Sequence, residues 1–293
     1  MRALAAGFKL PPYVLDHGRL GIDEAIEVKG AHINNKSLTA VWLRPGAADP
    51  PAECRICTDE RQYVLAAGQS WTTREALAGH HRNAWKQHQE GMLSLQSQPH
   101  FAIGQRAFLL QTPAGNVLWD CIALLDKATE ALVRALGGVA SIAISHPHYY
   151  TTMQDWAEAF KAPIHLQAAD CAWVVRPHPS IRFWEGEARE ILPGVTLICV
   201  GGHFPGGTVL HWAGTLLAGD VLQVTPGAHR VSFMWSYPNM MPLPAAAIRQ
   251  IEERLRPWRY ERIFGAFPGQ DVLADGPATV ARSARRYVEL IAS

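Results

Sequence analysis

Three histidines stand where buried apolar runs end. His146 and His148 follow VASIAIS, and His203 follows VTLICVGG inside a glycine-rich turn. A fourth group, Asp220, closes the apolar run TLLAGD. Neutral imidazoles carried by rigid strand ends are natural zinc ligands, and three of them with one open position make a catalytic-type site. In an extended segment the one-residue spacing of His146 and His148 puts both rings on the same side. A carboxylate such as Asp220 is costly to bury there unless a metal or hydrogen bonds satisfy it. A His pair can be a surface turn and a strand-end Asp a turn former; the four together point to a metal.

A second set of ligand types lies nearer the N-terminus. Cys54-x-x-Cys57 is a knuckle in which two thiolates from one turn can share a zinc. A structural zinc held by Cys54, Cys57, His81 and His80 is expected. A redox pair and two reduced thiols are the alternatives, but redox CxxC motifs open a helix in a thioredoxin-like unit and none is visible. Of the five cysteines, Cys121 and Cys199 sit in strand-like runs and read as small buried hydrophobes. An odd count with one tight pair does not make a disulfide framework.

The elements that position these groups are legible from about residue 100 onward. AFLLQ and NVLWDCIALL are strands joined by the turn TPAG. Asp126 caps DKATEALVRALGG, whose two glycines end it. VASIAIS is a buried strand, Thr151 or Thr152 caps a helix over TTMQDWAEAF, and PIHLQ is another strand. VTLICVGG, GTVLHW and TLLAGD follow as strands, then a helix over PLPAAAIRQIEERLRP with Pro near its start. RIFGAF and a terminal helix over ATVARSARRYVELIA complete the chain. Upstream, LTAVWL reads as a strand, RPGAADPPAE as a linker, and Thr72 or Thr73 as the cap of a short helix over Glu75–Gly79. Periodicity alone admits a helix-flanked two-sheet sandwich or a doubly wound sheet.

The chain has 293 residues, 48% of them hydrophobic and 18% charged, enough for a sizeable core. With 27 basic and 26 acidic residues the net charge is +1, which argues against a nucleic-acid surface. No apolar run approaches the ~20 residues of a membrane span. The N-terminal stretch is broken early by Lys9, Pro11 and Pro12 and makes a poor signal peptide, so a cytoplasmic location is expected.

The order HxH, GGHxxGGTVLHW, LLAGD, preceded by the hairpin AFLLQTPAGNVLWD, resembles that of metallo-β-lactamase-fold hydrolases. The resemblance spans roughly residues 100–290 and is closest to a bacterial subgroup carrying CxxCxDERQYV ahead of the lactamase-like part. It implies an α+β class protein, an αββα sandwich with metals bound at one edge of the two sheets. It also implies a division into an N-terminal extension with the knuckle (residues 1–95) and the lactamase-like domain (96–293). By the same resemblance His146, His148 and His203 correspond to the three imidazoles of the first metal site. Asp220 corresponds to the carboxylate that bridges two metals, and Asp120 to a structural aspartate. The family's HxHxDH run is broken, however. Tyr150 and Thr151 stand where the second site's Asp and His would be, and the last histidine is missing from FGAFPGQD.

One zinc ion is therefore expected, with His146, His148, His203 and Asp220 as its ligands. The function expected is a mononuclear zinc-dependent hydrolase that uses metal-bound hydroxide on an ester, lactone or thioester. Its rival is a non-catalytic zinc protein of the same fold that binds a ligand or partner. Asp220 would orient or deprotonate the water, and Tyr150, or its neighbour Tyr149, would donate to a developing oxyanion. Phe233, Met234, Trp235 and Tyr237 are the candidate substrate wall, with Trp156, Trp173 and Trp184 as possible additions, for a small molecule with an apolar group. Neither a membrane nor a nucleic acid is expected as partner.

Overall fold

The computed structural model describes residues 25–29, 39–42, 59–63 and 70–291. Strands β1 (Ala25–Lys29), β2 (Thr39–Trp42) and β3 (Ser70–Thr73) form an antiparallel sheet of order β2-β1-β3, followed by helix α1 (Arg74–His80). Strand β2 coincides with LTAVWL and α1 with the short helix expected after Thr73.

A seven-stranded sheet then runs in chain order. It contains β4 (Arg82–Gln89), β5 (Met92–Gln98), β6 (Ala107–Leu110), β7 (Val117–Trp119), β8 (Ser141–Ala143), β9 (Ile164–Gln167) and β10 (Ile181–Trp184). The first four pair antiparallel, while β7 through β10 pair parallel. Two of the parallel links are crossover helices, α2 (Lys127–Ala135) and α3 (Met153–Phe160), as parallel neighbours require. The β4–β5 hairpin turns at Gly91. It shows no clean alternation of apolar and polar residues, and sequence patterning missed it. Because β4 and β5 belong to this sheet, the sandwich reaches back past residue 96 to Arg82.

The second sheet has the order β11-β12-β13-β14-β19-β20. Its first strands are β11 (Ala188–Leu192), β12 (Val195–Cys199), β13 (Thr208–Trp212) and β14 (Thr215–Gly219). Two short hairpins interrupt it, β15 (Gln223–Val224) with β16 (Val231–Ser232) and β17 (Met234–Ser236) with β18 (Met241–Pro242). Helix α4 (Ala245–Leu255), strands β19 (Arg262–Gly265) and β20 (Asp271–Val272), and helix α5 (Gly276–Ile291) follow.

Period-two alternation turns these elements into four layers. Along β6, Ala107 and Leu109 face the helix-side core with Val133 of α2 and Met153 and Trp156 of α3. Phe108 and Leu110 face the other way, into the inter-sheet core with Val195, Leu197 and Leu217. On β14, Leu216 and Ala218 face Ile248 and Ile251 of α4 and Val280 of α5. The chain is therefore an αββα sandwich of the α+β class, the alternative that periodicity alone left open. The Asp126 cap is formed, its carboxylate accepting from Thr129 N at 2.7 Å. Thr152 sits at the N-cap of α3, but its hydroxyl donates instead to the carbonyls of Ile122 and Ala123.

Candidate metal centre

The three histidines and Asp220 meet at one edge of the sandwich. Each lies in a loop that leaves a core strand: His146 and His148 after β8, His203 after β12, and Asp220 directly after β14. One ligand atom from each lies within 4.8 Å of the others, and among the described residues no other such group exists. His146–His148 is not the extended pair that the spacing suggests. Pro147–Tyr149 forms a 3-10 turn, and the two rings stand edge to face with centroids 4.9 Å apart.

Ser145 holds this edge together. Its N–H donates to Asp120 Oδ1 at 2.8 Å, its carbonyl accepts from Thr208 N of the opposite sheet at 2.9 Å, and its hydroxyl lies 2.8 Å from His146 Nδ1. Gly219, one residue before Asp220, packs directly beneath it. Its φ is +53°, and a Cβ there would come within 2.6 Å of Ser145 Oγ, so both conformation and space call for glycine. Gly202 does the same for His203: φ is +86°, and a Cβ would meet Ile251 Cδ1 at 2.9 Å.

The hydrogen bonds also set the tautomers. His203 Nδ1 donates to the Trp235 carbonyl at 2.8 Å, which turns the lone pair of Nε2 towards the cluster. The Ser145 contact engages His146 Nδ1, leaving His146 Nε2 3.6 Å from Asp220 Oδ2. Burial, and then the charge of His146, push the His203 pKa down to about 3, so its imidazole is neutral. Burial raises Asp120 to about 8 against the pull of its Ser145 bonds, with Asp220 adding to the rise. His146 Nε2 and Asp220 Oδ1 are buried with no hydrogen-bond partner among the described residues. Orphaned polar atoms of this kind are rare in a folded interior. Together with the nitrogen-rich donor set they fit a divalent metal such as zinc. Among the described residues no second set accompanies them. Tyr150 is buried in the helix-side core and Thr151 is buried beside it.

A cavity of about 530 Å³ opens onto the cluster, with His148, His203 and Asp220 in its wall. The expected substrate wall is largely elsewhere. Of Phe233, Met234, Trp235 and Tyr237, only Tyr237 lines the cavity. Phe233 is fully buried against α4 and α5, and Met234 and Trp235 serve the site through their carbonyls. Trp156 and Trp184 are core residues, and Trp173 stacks edge-on against Phe204. Tyr149, not Tyr150, lines the cavity; its hydroxyl is buried with no hydrogen-bond partner among the described residues, and burial raises its pKa well above the ordinary value.

Sequence reasoning missed Arg61 and Gln62, which enter from the N-terminal half. The Arg61 guanidinium lies 3.8 Å from the Phe204 ring centroid and 4.4 Å from that of Trp235, and donates to the His203 carbonyl at 3.0 Å. Asp59 pairs with it at 2.7 Å. Burial works against ionising Asp59, but the Arg61 bonds outweigh it and hold its carboxyl below the usual value. The DER run was visible in the sequence, but nothing local in it says that it crosses to His203. Cys54 and Cys57 lie outside the described residues. His80 is exposed, and His81 packs against Phe101 with Nδ1 3.3 Å from the Leu77 carbonyl.

No family model matches the chain. It is 45% identical over 253 residues to the uncharacterized protein YmaE of Bacillus subtilis (strain 168), covering 84% of this chain and 92% of that one. Among solved structures, VMB-1 superposes with a TM-score of 0.56 at 11% identity, over 72% of this chain and 99% of that one. The DIM-1 metallo-β-lactamase gives 0.54 at 12%, over 72% and 99%. The metallo-β-lactamase FIM-1 of Pseudomonas aeruginosa, in its mono-zinc form, gives 0.51 at 12%, over 70% and 96%. The chain belongs to the family of YmaE, and its fold is that of the metallo-β-lactamases.

Proposed function

We propose that this member of the YmaE family is a mononuclear zinc-dependent hydrolase acting on an ester, lactone or thioester with an apolar group. The observation that carries the reading is the convergence of three imidazoles and one carboxylate within 4.8 Å at the wall of a 530 Å³ cavity. His146, His148 and His203 would hold the ion, with Asp220 beside them. When bound, zinc in such a set supplies a Lewis acid that brings the pKa of a water down to about 7. A single ion is favoured because Tyr150 and Thr151 offer no ligand for a second, and the mono-zinc form of FIM-1 is a precedent on this fold.

The remaining roles fall to the protein. Asp220 Oδ1, buried with no hydrogen-bond partner among the described residues, is suited to orient the attacking water and take its proton. Tyr149 stays protonated through burial, and its hydroxyl can donate to the oxygen that gains charge as the carbonyl is attacked. Of the two tyrosines that the sequence suggested for this part, Tyr149 is the one at the cavity wall. Ile103, Met240 and Phe267 supply apolar wall for the substrate's non-reacting end.

Elemental analysis of the purified chain and of His148→Ala tests the metal, and a panel of aryl esters, lactones, thioesters and phosphodiesters tests the reaction. The variant is expected to lose one zinc per chain and all turnover of its substrate. Turnover indifferent to the mutation would refute the assignment. Zinc bound with no turnover of any panel member would favour a purely binding role.

A further inference from the structure

The loop that carries His203 begins and ends on the second sheet, between β12 and β13, yet its return leg is fastened to the seven-stranded sheet. Gly206 N donates to Asp170 Oδ1 at 2.9 Å, and two residues further on Thr208 N donates to the Ser145 carbonyl at 2.9 Å. Thr208 Oγ1 closes this segment on itself by donating to the Gly206 carbonyl at 2.8 Å. Ser145 leads into His146, and Asp170 stands in the 3-10 turn Ala168–Trp173 directly after β9. The two ties therefore refer His203 to the same sheet edge that carries His146 and His148.

Asp170 neither lines the cavity nor belongs to the metal cluster. It is 1% exposed, and burial raises its pKa to about 6 while the Gly206 bond pulls the other way. A carboxyl group is kept in the interior only where bonds hold it. Gly206 is fitted to this one. Its backbone lies outside the left-handed region, so space alone calls for glycine: an added Cβ would come within 2.7 Å of Asp170 Oδ2 and 3.1 Å of Gln167 Cβ. Gln167 fixes the turn in its own right, with Oε1 accepting from Ala169 N at 2.5 Å. The Trp235 carbonyl sets how the His203 ring is rotated, whereas the Asp170 tie sets where its loop stands.

We propose that Asp170 is a positioning residue for the metal centre: by tying Gly206 to the end of β9 it holds His203 at ligand distance from His146 and His148. The role is geometric, so it needs an acceptor at position 170 and not a negative charge. The inference rests on the metal-binding part of the hydrolase reading and is independent of turnover.

Zinc titrated against a competing chelator, and the visible absorption of the cobalt-loaded protein, read the effect without a substrate. Asp170→Ala is expected to weaken zinc binding about tenfold and to shift the cobalt bands. Asp170→Asn, which keeps an acceptor for Gly206 N, should stay within about twofold of the unmodified chain. Gly206→Ala drives a methyl group into the carboxylate and should also weaken zinc about tenfold, which covers the case in which Asp170→Ala fails to fold. The double variant should bind no more weakly than Asp170→Ala alone, because the methyl then meets no carboxylate. Asn116→Ala is the control for lost stability. It frees the Leu136 and Gly138 carbonyls at the opposite end of β7 from Asp120, and should lower the unfolding midpoint with zinc affinity and cobalt bands unchanged. Unchanged zinc affinity in Asp170→Ala or in Gly206→Ala, a loss in Asp170→Asn as large as in Asp170→Ala, additive losses in the double variant, or an equal loss in Asn116→Ala would each overturn the inference. An unmodified chain that binds no zinc would overturn it together with the metal centre. Tight zinc with the expected pattern but no turnover of any ester would sink the hydrolase and leave the positioning role standing.

Discussion

The two sides of the cavity are built in different ways. The candidate metal side consists of loops that leave core strands, and three of its four groups are fixed by the sandwich itself: Ser145 braces His146, Gly219 lets Asp220 approach, and the Trp235 carbonyl orients His203. The other side includes a segment from the N-terminal half, Asp59–Tyr63, laid against the loop around β17. The Glu60 carbonyl accepts from Ser236 Oγ at 2.5 Å and from Asn239 Nδ2 at 2.7 Å, while Trp235 Nε1 donates to the Glu60 carboxylate. A site made of strand ends inherits the rigidity of the core. A wall made by a docked segment is held by side-chain contacts and can change without disturbing the sandwich, which is where a shared fold acquires a particular ligand.

Three perturbations break or sharpen that contrast. The largest effect is expected for Gly219→Ala on the metal side. The left-handed backbone and the collision with Ser145 Oγ should cost about 3 kcal/mol of stability. Denaturant unfolding would show this as a lower midpoint at unchanged slope; a midpoint equal to that of the unmodified chain would mean that the strand-end edge is less rigid than its packing implies. On the docked side, Arg61→Leu should leave the fold intact. It breaks the pair with Asp59 and the bond to the His203 carbonyl, at a cost of about 2 kcal/mol and about tenfold in zinc affinity. Zinc titration against a competing chelator measures it, and unchanged affinity would detach the segment from the metal side.

The smallest effect concerns pH and separates the sandwich from the site. Burial, followed by the charge of Arg106, pushes His88 of β4 down to about 4. Burial, followed by Arg189 and Arg182, does the same to His165 of β9. Both folded values lie below the unfolded pKa of about 6.5, so the unfolded chain takes up these protons first. Their contribution to stability is present above pH ~6.5 and is lost as the pH falls towards 4. Unfolding midpoints measured across that window should decline, and should decline less in a His88→Gln, His165→Gln double variant. An identical decline would place the acid sensitivity in the metal cluster instead.

Much of the metal side was legible in the residues. An apolar run that ends in His or Asp reads the same in sequence and in space, because a strand's direction carries its last residue to the sheet edge. The Asp126 cap, the TPAG hairpin and the strands around His203 and Asp220 follow from equally local rules. Local rules fail where a partner is remote. They left Tyr150 and Tyr149 as alternatives, of which only Tyr149 lines the cavity, and they assigned Phe233 to a wall when α4 and α5 bury it. They also gave no hint that Arg61 crosses 142 positions of chain to the His203 carbonyl. By itself the sequence determined which side chains could bind a metal and at which strand ends they stand, since both depend on residue type and short-range periodicity. Tertiary structure alone decided that the four meet within ligand distance and that one of two adjacent tyrosines faces the cavity. It also decided that Asp170 reaches the loop of His203 from the other sheet, because those outcomes are set by how layers pack over long separations along the chain.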